Sequence, residues 1–124
     1  MDRTILWVGL GGFIGSVCRY YTAVLATRFL PLNFPYGTFV ANIVGCLLIG
    51  VFYGLSARFG WFNPRWMLFL TTGFCGGYTT FSTFMYDNVK LLQSGQYWAF
   101  GGYAMASFVL GLLAVVAGLL ITKL

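Results

Sequence analysis

A glycine- and hydroxyl-rich stretch, residues 73–84, interrupts one of the long apolar segments of this chain. Inside a bilayer every backbone N–H and C=O group needs a partner, so unwound backbone at mid-depth is tolerated only where protein or a polar pathway surrounds it. Broken membrane helices of this kind present helix ends and free carbonyl oxygens to ions. The stretch therefore indicates a membrane protein that handles ions.

Two phenylalanines, Phe81 and Phe84, lie at the end of this stretch and are three residues apart. They face the same way if the second half of the helix begins near Thr79 or Thr80, and threonine is a good N-cap residue. In a chain with 13 Phe, contact with lipid or with the core is the plain interpretation of such a pair. The positive edge of an aromatic ring can also contact a small anion without a formal charge.

Polar side chains lie at helical spacing in two other apolar segments. Thr38 and Asn42 share one helix face, and Tyr103 and Ser107 share another. Each polar group costs free energy in hydrocarbon unless protein or water pairs with it. The Asn42 amide could donate to an anion or bridge two helices. The two hydroxyls could form a polar track or a pair of interhelical hydrogen bonds, and the sequence leaves these alternatives open.

One cation and one carboxylate also fall within apolar segments. Arg19 lies well inside the first segment and needs a partner or a route for its guanidinium to the interface. Asp87 is the only acidic residue within a predicted span. The two could neutralise each other, but nothing in the sequence places them together, so Arg19 has either a structural or an electrostatic role.

The segments that must position these residues are long enough to cross a membrane. Of the 124 residues 60% are hydrophobic and 7% are charged, which is unlike a soluble domain. The periodicity predicts a single all-α integral membrane domain over residues 1–124. Its four transmembrane helices are expected at residues 5–26, 36–57, 66–92 and 97–122, with the third broken near residues 76–79.

Composition also excludes several classes of protein. The net charge of +5 comes from Lys and Arg residues that are scattered singly, so no nucleic-acid surface is expected. Cys18, Cys46 and Cys75 form no CxxC motif, which argues against a disulfide framework or a cysteine metal site. The absence of histidine and the scarcity of carboxylates argue against an enzyme.

Small residues at four-residue spacing recur along the spans, and they predict close helix packing. The pairs are Gly11 with Gly15, Ala41 with Gly45, Gly50 with Gly54, Ser107 with Gly111, and Ala114 with Gly118. The Lys and Arg bias between the two ends is small, so the chain could insert in both orientations. Four helices are too few to enclose a pathway comfortably. An antiparallel dimer would agree both with this small number of helices and with the weak Lys and Arg bias.

Taken together, these residues resemble the Fluc (CrcB-like) fluoride channel family, in the family's order and over nearly the whole chain. The run from Gly76 to Phe84 is highly specific for that family, whereas the glycine pattern of the first span is not. The matching elements are Gly11 to Gly15 with Arg19, Gly37 and Thr38 with Asn42 and Gly45, residues 73–84, and Tyr103 with Ser107.

This resemblance implies a passive fluoride-selective channel of a prokaryotic plasma or inner membrane, which exports cytoplasmic fluoride and lowers its toxicity. It further implies an antiparallel, dual-topology homodimer with two fluoride pathways and a central sodium ion where the two breaks cross. By resemblance, the carbonyls of Gly76 and Thr79 hold the sodium. The fluoride pathway is implied to comprise Asn42, Phe81, Phe84, Tyr103 and Ser107, with Thr38, Ser82 and Thr83 as weaker candidates.

The chain departs from the family pattern at two places. Gly111 and Val115 stand where related members often continue the hydroxyl track of the fourth helix. The usual Ser-x-Glu after Phe84 is Met85-Tyr86-Asp87 here. Such changes could also arise in one subunit of a heterodimeric channel with a paralogous partner. A small dual-topology multidrug transporter is the other alternative, although proton-coupled export needs a carboxylate deep in the bundle.

Overall fold

The computed structural model describes residues 3–31, 34–60 and 63–123, and these residues form an all-helical protein. Three helices are long and apolar enough to cross a membrane: α1 (Arg3–Phe29), α2 (Tyr36–Phe59) and α6 (Tyr97–Ile121). Between α2 and α6 lie α3 (Pro64–Leu68), a π-helix (Phe69–Cys75), α4 (Gly76–Tyr78) and α5 (Phe81–Gln93). The predicted all-helical architecture with an interrupted third helix is confirmed.

Local signals set the boundary between α2 and α3. The helix α2 ends at Gly60, whose φ of 67° is left-handed and whose N–H donates to the Ser56 carbonyl at 2.9 Å. Asn63 caps α3, because its Oδ1 accepts from the backbone N–H of Arg65 at 2.7 Å, and Pro64 occupies the first helical position. The residue types at Gly60 and at Asn63 with Pro64 therefore suit a helix end and a helix start.

Glycines bring α1 into backbone contact with the third span. A Cβ atom on Gly73 would lie 2.9 Å from the Val8 carbonyl oxygen, and one on Gly77 would lie 2.5 Å from the Gly12 carbonyl oxygen. From the other side, the buried Gly11 and Gly15 face the backbone of the π-helix. The predicted packing role of Gly11 and Gly15 is confirmed.

In the described part of the chain, α2 and α6 pack against each other over an extensive interface. A Cβ atom on Gly118 would lie 2.5 Å from the Leu47 carbonyl oxygen, and Gly50 faces the Val115 backbone. Arg58 closes the interface at one end by donating from Nη1 to the Thr122 carbonyl. The small residues predicted to pack on these two helices thus allow them to approach at backbone distance.

The interruption of the third span lies at Thr79 and Thr80, where φ and ψ are −90° and 159°, and −152° and 123°. The break thus begins at Thr79, the last residue of the range 76–79 predicted for it, and Gly76 and Gly77 are helical. Gly77 lies against the backbone of α1. This close approach requires the absence of a side chain and not an unusual backbone conformation, so Gly77 can be helical.

The outer surface of the protein is apolar, while the contacts between helices use small residues. Large hydrophobic side chains point outward along the long helices, including Leu6 at 70% exposed, Phe13 at 67% and Phe108 at 67%. The buried positions of α2 include Ala41, Gly45, Gly50 and Gly54. This arrangement suits a protein whose surroundings are lipid or other apolar helices.

Candidate ion pathway at the helix break

The side chain of Asn42 on α2 bridges the break through two hydrogen bonds. The backbone N–H of Thr80 donates to Asn42 Oδ1 at 3.0 Å, and Asn42 Nδ2 donates to the Thr80 carbonyl at 3.3 Å. An Asn amide carries two N–H donors, so this pairing engages one of them. Of the two alternatives that the sequence left open, the bridge between helices is the one that the protomer contains.

The hydroxyl of Thr80 begins the second half of the span. Thr80 Oγ1 accepts from the backbone N–H of Thr83 at 3.3 Å, which is the N-cap interaction predicted for a restart at this point. The same oxygen lies 3.2 Å from Thr83 Oγ1 and 3.5 Å from Ser82 Oγ. The hydroxyls of Ser82 and Thr83 therefore belong to a local cluster around the cap.

These bonds leave two carbonyl groups without their helical donors. In a continuous α-helix the N–H of Thr80 would bond the Gly76 carbonyl, and the N–H of Thr83 would bond the Thr79 carbonyl. Here the first N–H donates to Asn42 and the second to the Thr80 hydroxyl. Neutral carbonyl oxygens are ligands that hard cations accept. The two freed carbonyl oxygens, of Gly76 and Thr79, are thus suitable ligands for the sodium ion that the family resemblance implies.

A groove with a volume of about 750 Å³ runs beside the break. It brings together six of the residues predicted for the site, from α2, the third span and α6. These are Asn42, Gly76, Thr79, Phe81, Phe84 and Ser107. The Ser107 Oγ is buried and has no hydrogen-bond partner among the described residues. The groove therefore combines an apolar wall with a few polar groups at the level of the break.

The rings of Phe81 and Phe84 lie on the same side of α5, with their centroids 6.2 Å apart and their planes at 45°. Phe81 is 73% exposed in the protomer, whereas Phe84 is half-buried against Tyr103 at a centroid distance of 5.0 Å. Their shared orientation agrees with the three-residue spacing. One ring is free to meet a ligand or a second chain, and the other is anchored in the protein.

Tyr103 is fully buried and lies behind the groove rather than in its wall. Its hydroxyl donates to Asp87 Oδ2 at 3.1 Å, and its ring packs on Phe34 at 5.2 Å. Thr38 and Asp87 line a second cavity, of about 650 Å³, together with Lys90. Tyr103 thus lines neither cavity, whereas Ser107, its predicted neighbour in a polar track, lines the groove.

The structure does not bring Arg19 and Asp87 together. The carboxylate of Asp87 is engaged by Tyr103, and no ion pair joins it to Arg19 in the described ranges of the chain. Arg19 is half-buried on α1. The mutual neutralisation that the sequence left open is therefore absent from the protomer.

Sequence reasoning missed the anchor of the first half of the span. Tyr78 is buried, its hydroxyl lies 2.8 Å from Thr22 Oγ1, and its ring stacks on Phe74 with centroids 5.9 Å apart. The presence of two hydroxyl side chains in otherwise apolar segments was the available signal. This contact ties the last turn before the break to α1.

We expect Thr80→Val to destabilise the protein by about 1 kcal/mol, because valine keeps the shape of the side chain but cannot cap α5. Thr80→Ser keeps the hydroxyl and is expected to match the parent protein within the error of the measurement. The measurement is the thermal unfolding temperature in detergent of the purified parent protein, Thr80→Val and Thr80→Ser. An equal loss of stability in both variants would mean that the cap contributes nothing.

The interrupted span, the apolar exterior and the mixed groove define a small multi-pass membrane protein with a candidate ion pathway. Comparison with known proteins then identifies the family: residues 6–119 match the family model for CrcB-like protein, Camphor Resistance (CrcB), and the chain belongs to that family.

Several curated relatives carry the name fluoride-specific ion channel FluC. The relative from Flavobacterium psychrophilum is 47% identical over 121 residues, covering 98% of both chains. The relative from Phocaeicola vulgatus is 48% identical over 94% of this chain and 96% of its own. The relative from Leptospira interrogans serovar copenhageni is 43% identical over 98% of this chain and 96% of its own.

Proposed function

We propose that this chain is a fluoride-specific channel of a bacterial membrane, which lets cytoplasmic fluoride leave passively and so lowers its toxicity. The observation that carries the proposal is the identity of 47% with a fluoride-specific ion channel over 98% of both chains. Members of this family act as channels, so the protein is a channel and not an enzyme.

The physical task of such a channel is to replace the water around a small anion. Moving an ion the size of a carboxylate into low dielectric costs on the order of 20 kcal/mol, and a smaller anion costs more. The groove offers the donors needed: the Asn42 amide, the unpaired hydroxyl of Ser107, and the ring edges of Phe81 and Phe84. Such neutral donors hold an anion without trapping it, as conduction requires.

Selectivity and direction follow from size and from the membrane potential. A pathway narrow enough for fluoride excludes the larger chloride ion. Hydrogen fluoride enters cells as a neutral molecule and dissociates inside, and a negative interior then drives the anion outward with about 2.3 kcal/mol per charge per 100 mV. No second energy source is needed for export.

We further propose that two copies assemble as an antiparallel, dual-topology homodimer. The groove is open along one side of the protomer, and Phe81 on its rim is 73% exposed. A single copy therefore does not enclose an ion, whereas a second copy laid across the groove would complete the wall. The weak charge bias between the two ends of the chain permits both orientations in one membrane.

The freed carbonyls of Gly76 and Thr79 are the proposed ligands of the sodium ion. When bound there, the ion supplies a fixed positive charge and links the two breaks of the dimer. The protein's part is to keep both carbonyls out of the helical ladder: Asn42 takes the N–H of Thr80, and the Thr80 hydroxyl takes the N–H of Thr83. Thr38, Ser82, Thr83 and Tyr103 remain proposed contributors at the edges of the pathway.

The departures at Gly111 and Val115 fall at positions that serve packing. A Cβ atom on Gly111 would lie 3.4 Å from Cys46 Sγ, and the Val115 backbone faces Gly50 on α2. A hydroxyl side chain at position 111 would therefore point toward α2 in the protomer. This placement favours a working homodimer over a damaged subunit of a heterodimer.

The decisive experiment is fluoride efflux from liposomes that contain the purified protein, started with a potassium ionophore and followed with a fluoride electrode. Fast fluoride release with negligible chloride release is the expected result. Release of a cationic dye instead would support the multidrug transporter. Absence of any flux from well-folded protein would contradict the homodimeric channel and point to a missing partner subunit.

We expect Phe81→Ile to reduce fluoride efflux severalfold without preventing assembly, because isoleucine fills similar space but has no polarised ring edge. The matched control is Phe13→Ile on α1, a residue that is also exposed but does not line the groove. Efflux rates from liposomes and elution volumes from size exclusion compare the two. Equal efflux from both variants would remove Phe81 from the pathway.

A further inference from the structure

Tyr78 is the last residue of α4 and lies between the residues whose carbonyls are proposed to bind sodium, Gly76 and Thr79. Both of those residues line the groove beside the break, and Gly76 is exposed in the protomer. Tyr78 is buried, with 7% of its surface exposed, and it is not part of the groove wall. Its side chain can therefore influence an ion only through the backbone that it holds.

The side chain of Tyr78 is held from several directions. Its hydroxyl lies 2.8 Å from Thr22 Oγ1 on α1. Its ring stacks on Phe74, one turn earlier, with the two planes 10° apart. On the side of α2 the ring faces Gly45, where a Cβ atom would lie 3.6 Å from Tyr78 Cδ2. The residue therefore joins the last turn before the break to both neighbouring helices.

The direction of the hydrogen bond between Tyr78 and Thr22 follows from the number of protons. A hydroxyl group has one proton to donate. Thr22 Oγ1 donates to the Cys18 carbonyl at 3.0 Å, one turn back along α1. Tyr78 is therefore the donor and Thr22 the acceptor in the contact between them. A buried hydroxyl without an acceptor costs free energy, so this bond favours one position of the Tyr78 ring.

The helical ladder supports the turn that contains Tyr78 from one side only. The helix α4 spans three residues, and the last ladder bond before the break joins the Thr79 N–H to the Cys75 carbonyl at 2.9 Å. The backbone is extended at Thr79 and Thr80. The positions of the Gly76 and Thr79 carbonyls thus depend on side-chain contacts and not on continuation of the helix.

We propose that Tyr78 is a positioning residue for the sodium site: its hydrogen bond to Thr22 holds the last turn so that the carbonyls of Gly76 and Thr79 remain directed at the ion. This inference rests on the sodium site of the proposed function. Preorganised ligands bind more tightly, because less conformational freedom is lost on binding. Loss of the Tyr78 hydroxyl should therefore weaken sodium binding in a protein that remains folded and assembled.

The variants Tyr78→Phe and Thr22→Val each remove one partner of the hydrogen bond and keep the size of the side chain. Thr22→Ser keeps the acceptor and is expected to behave like the parent protein. The matched control is Thr27→Val. The Thr27 hydroxyl is also on α1 and also donates to a carbonyl of its own helix, that of Val24 at 2.7 Å, but Thr27 is exposed.

Sodium affinity is measured on the purified protein by equilibrium dialysis with radioactive sodium. A second measure is the rise of the unfolding temperature with sodium at constant ionic strength, with N-methylglucamine as the replacement cation. The unfolding temperature without sodium reports the structural contribution of each side chain. Tyr78→Phe and Thr22→Val are expected to bind sodium about fivefold more weakly, as for the loss of a net hydrogen bond. Thr22→Ser and Thr27→Val should match the parent protein.

Parental sodium affinity in Tyr78→Phe would overturn the inference, and a lower unfolding temperature without sodium would then assign Tyr78 to packing alone. A parent protein that binds no sodium would overturn the sodium site and this inference together. Fluoride efflux from liposomes is measured separately. A parent protein without efflux contradicts the proposed channel, while its sodium affinity and that of Tyr78→Phe still test the positioning role.

Discussion

Fluoride efflux is expected to fall about tenfold or more when Asn42 is replaced by aspartate, since 1.4 kcal/mol corresponds to a factor of ten. The carboxylate still accepts from the Thr80 N–H but cannot donate to the Thr80 carbonyl. It also places a negative charge in the proposed anion pathway. An unsatisfied buried polar group costs about 1–3 kcal/mol, so both effects oppose passage of fluoride. Efflux from liposomes at matched protein content measures the change.

Asn63→Asp is a control with the same chemical change. Asn63 also accepts hydrogen bonds from backbone N–H groups, because it caps α3, and among the described residues its amide donates none to the backbone. Aspartate caps helices as well as asparagine does. This variant should conduct fluoride like the parent protein. If Asn42→Asp also conducts normally while it elutes as the same assembly, the amide has no part in the pathway.

The second large effect is expected for Gly77→Ala, which adds a methyl group where two backbones touch. The new Cβ would lie 2.5 Å from the Gly12 carbonyl oxygen and 3.0 Å from the Gly12 Cα, so no side-chain rotation relieves the contact. Overpacking of this kind costs about 1–3 kcal/mol. We expect a lower unfolding temperature and loss of fluoride efflux. A displacement of α4 would move Thr79 and Thr80, the residues of the break, away from Asn42.

Gly9→Ala in α1 tests the same substitution in open space, since a Cβ atom there meets nothing within 4 Å. It should leave unfolding temperature and efflux unchanged or slightly raised, as alanine is the better helix former. Unfolding followed by tryptophan fluorescence in detergent compares the two variants. A stable, conducting Gly77→Ala protein would show that α1 can move away from the third span at little cost.

Much of the fold could be predicted because each signal acts locally. Apolar length gives the spans, Pro64 and Gly60 mark the boundary between α2 and α3, and small residues at four-residue spacing mark close contacts. The restart at Thr80 was also within reach, because a threonine before a helix has a clear capping role. These features depend on residue type and on near neighbours in sequence.

The exact site of the break could not be predicted in the same way. Glycine serves both unwound backbone and close packing, and only the position of α1 shows that Gly77 serves packing. The pairing of Asn42 with Thr80 joins residues from different spans, and one amide could equally face an anion. The assignment of Tyr103 to a common track with Ser107 likewise depended on how α5 and α6 meet.

The π-helix at Phe69–Cys75 has a consequence for how this chain can change in length. A π-helical segment holds an additional residue compared with an α-helix of the same number of turns. Loss of one residue there can be absorbed by conversion of the segment to an α-helix, which keeps the register downstream, whereas the same loss in an α-helix rotates everything after it by roughly 100°. Gly77 would then still face α1, and Thr80 would still face Asn42. A single-residue deletion in this segment should therefore damage the channel less than a deletion in α4.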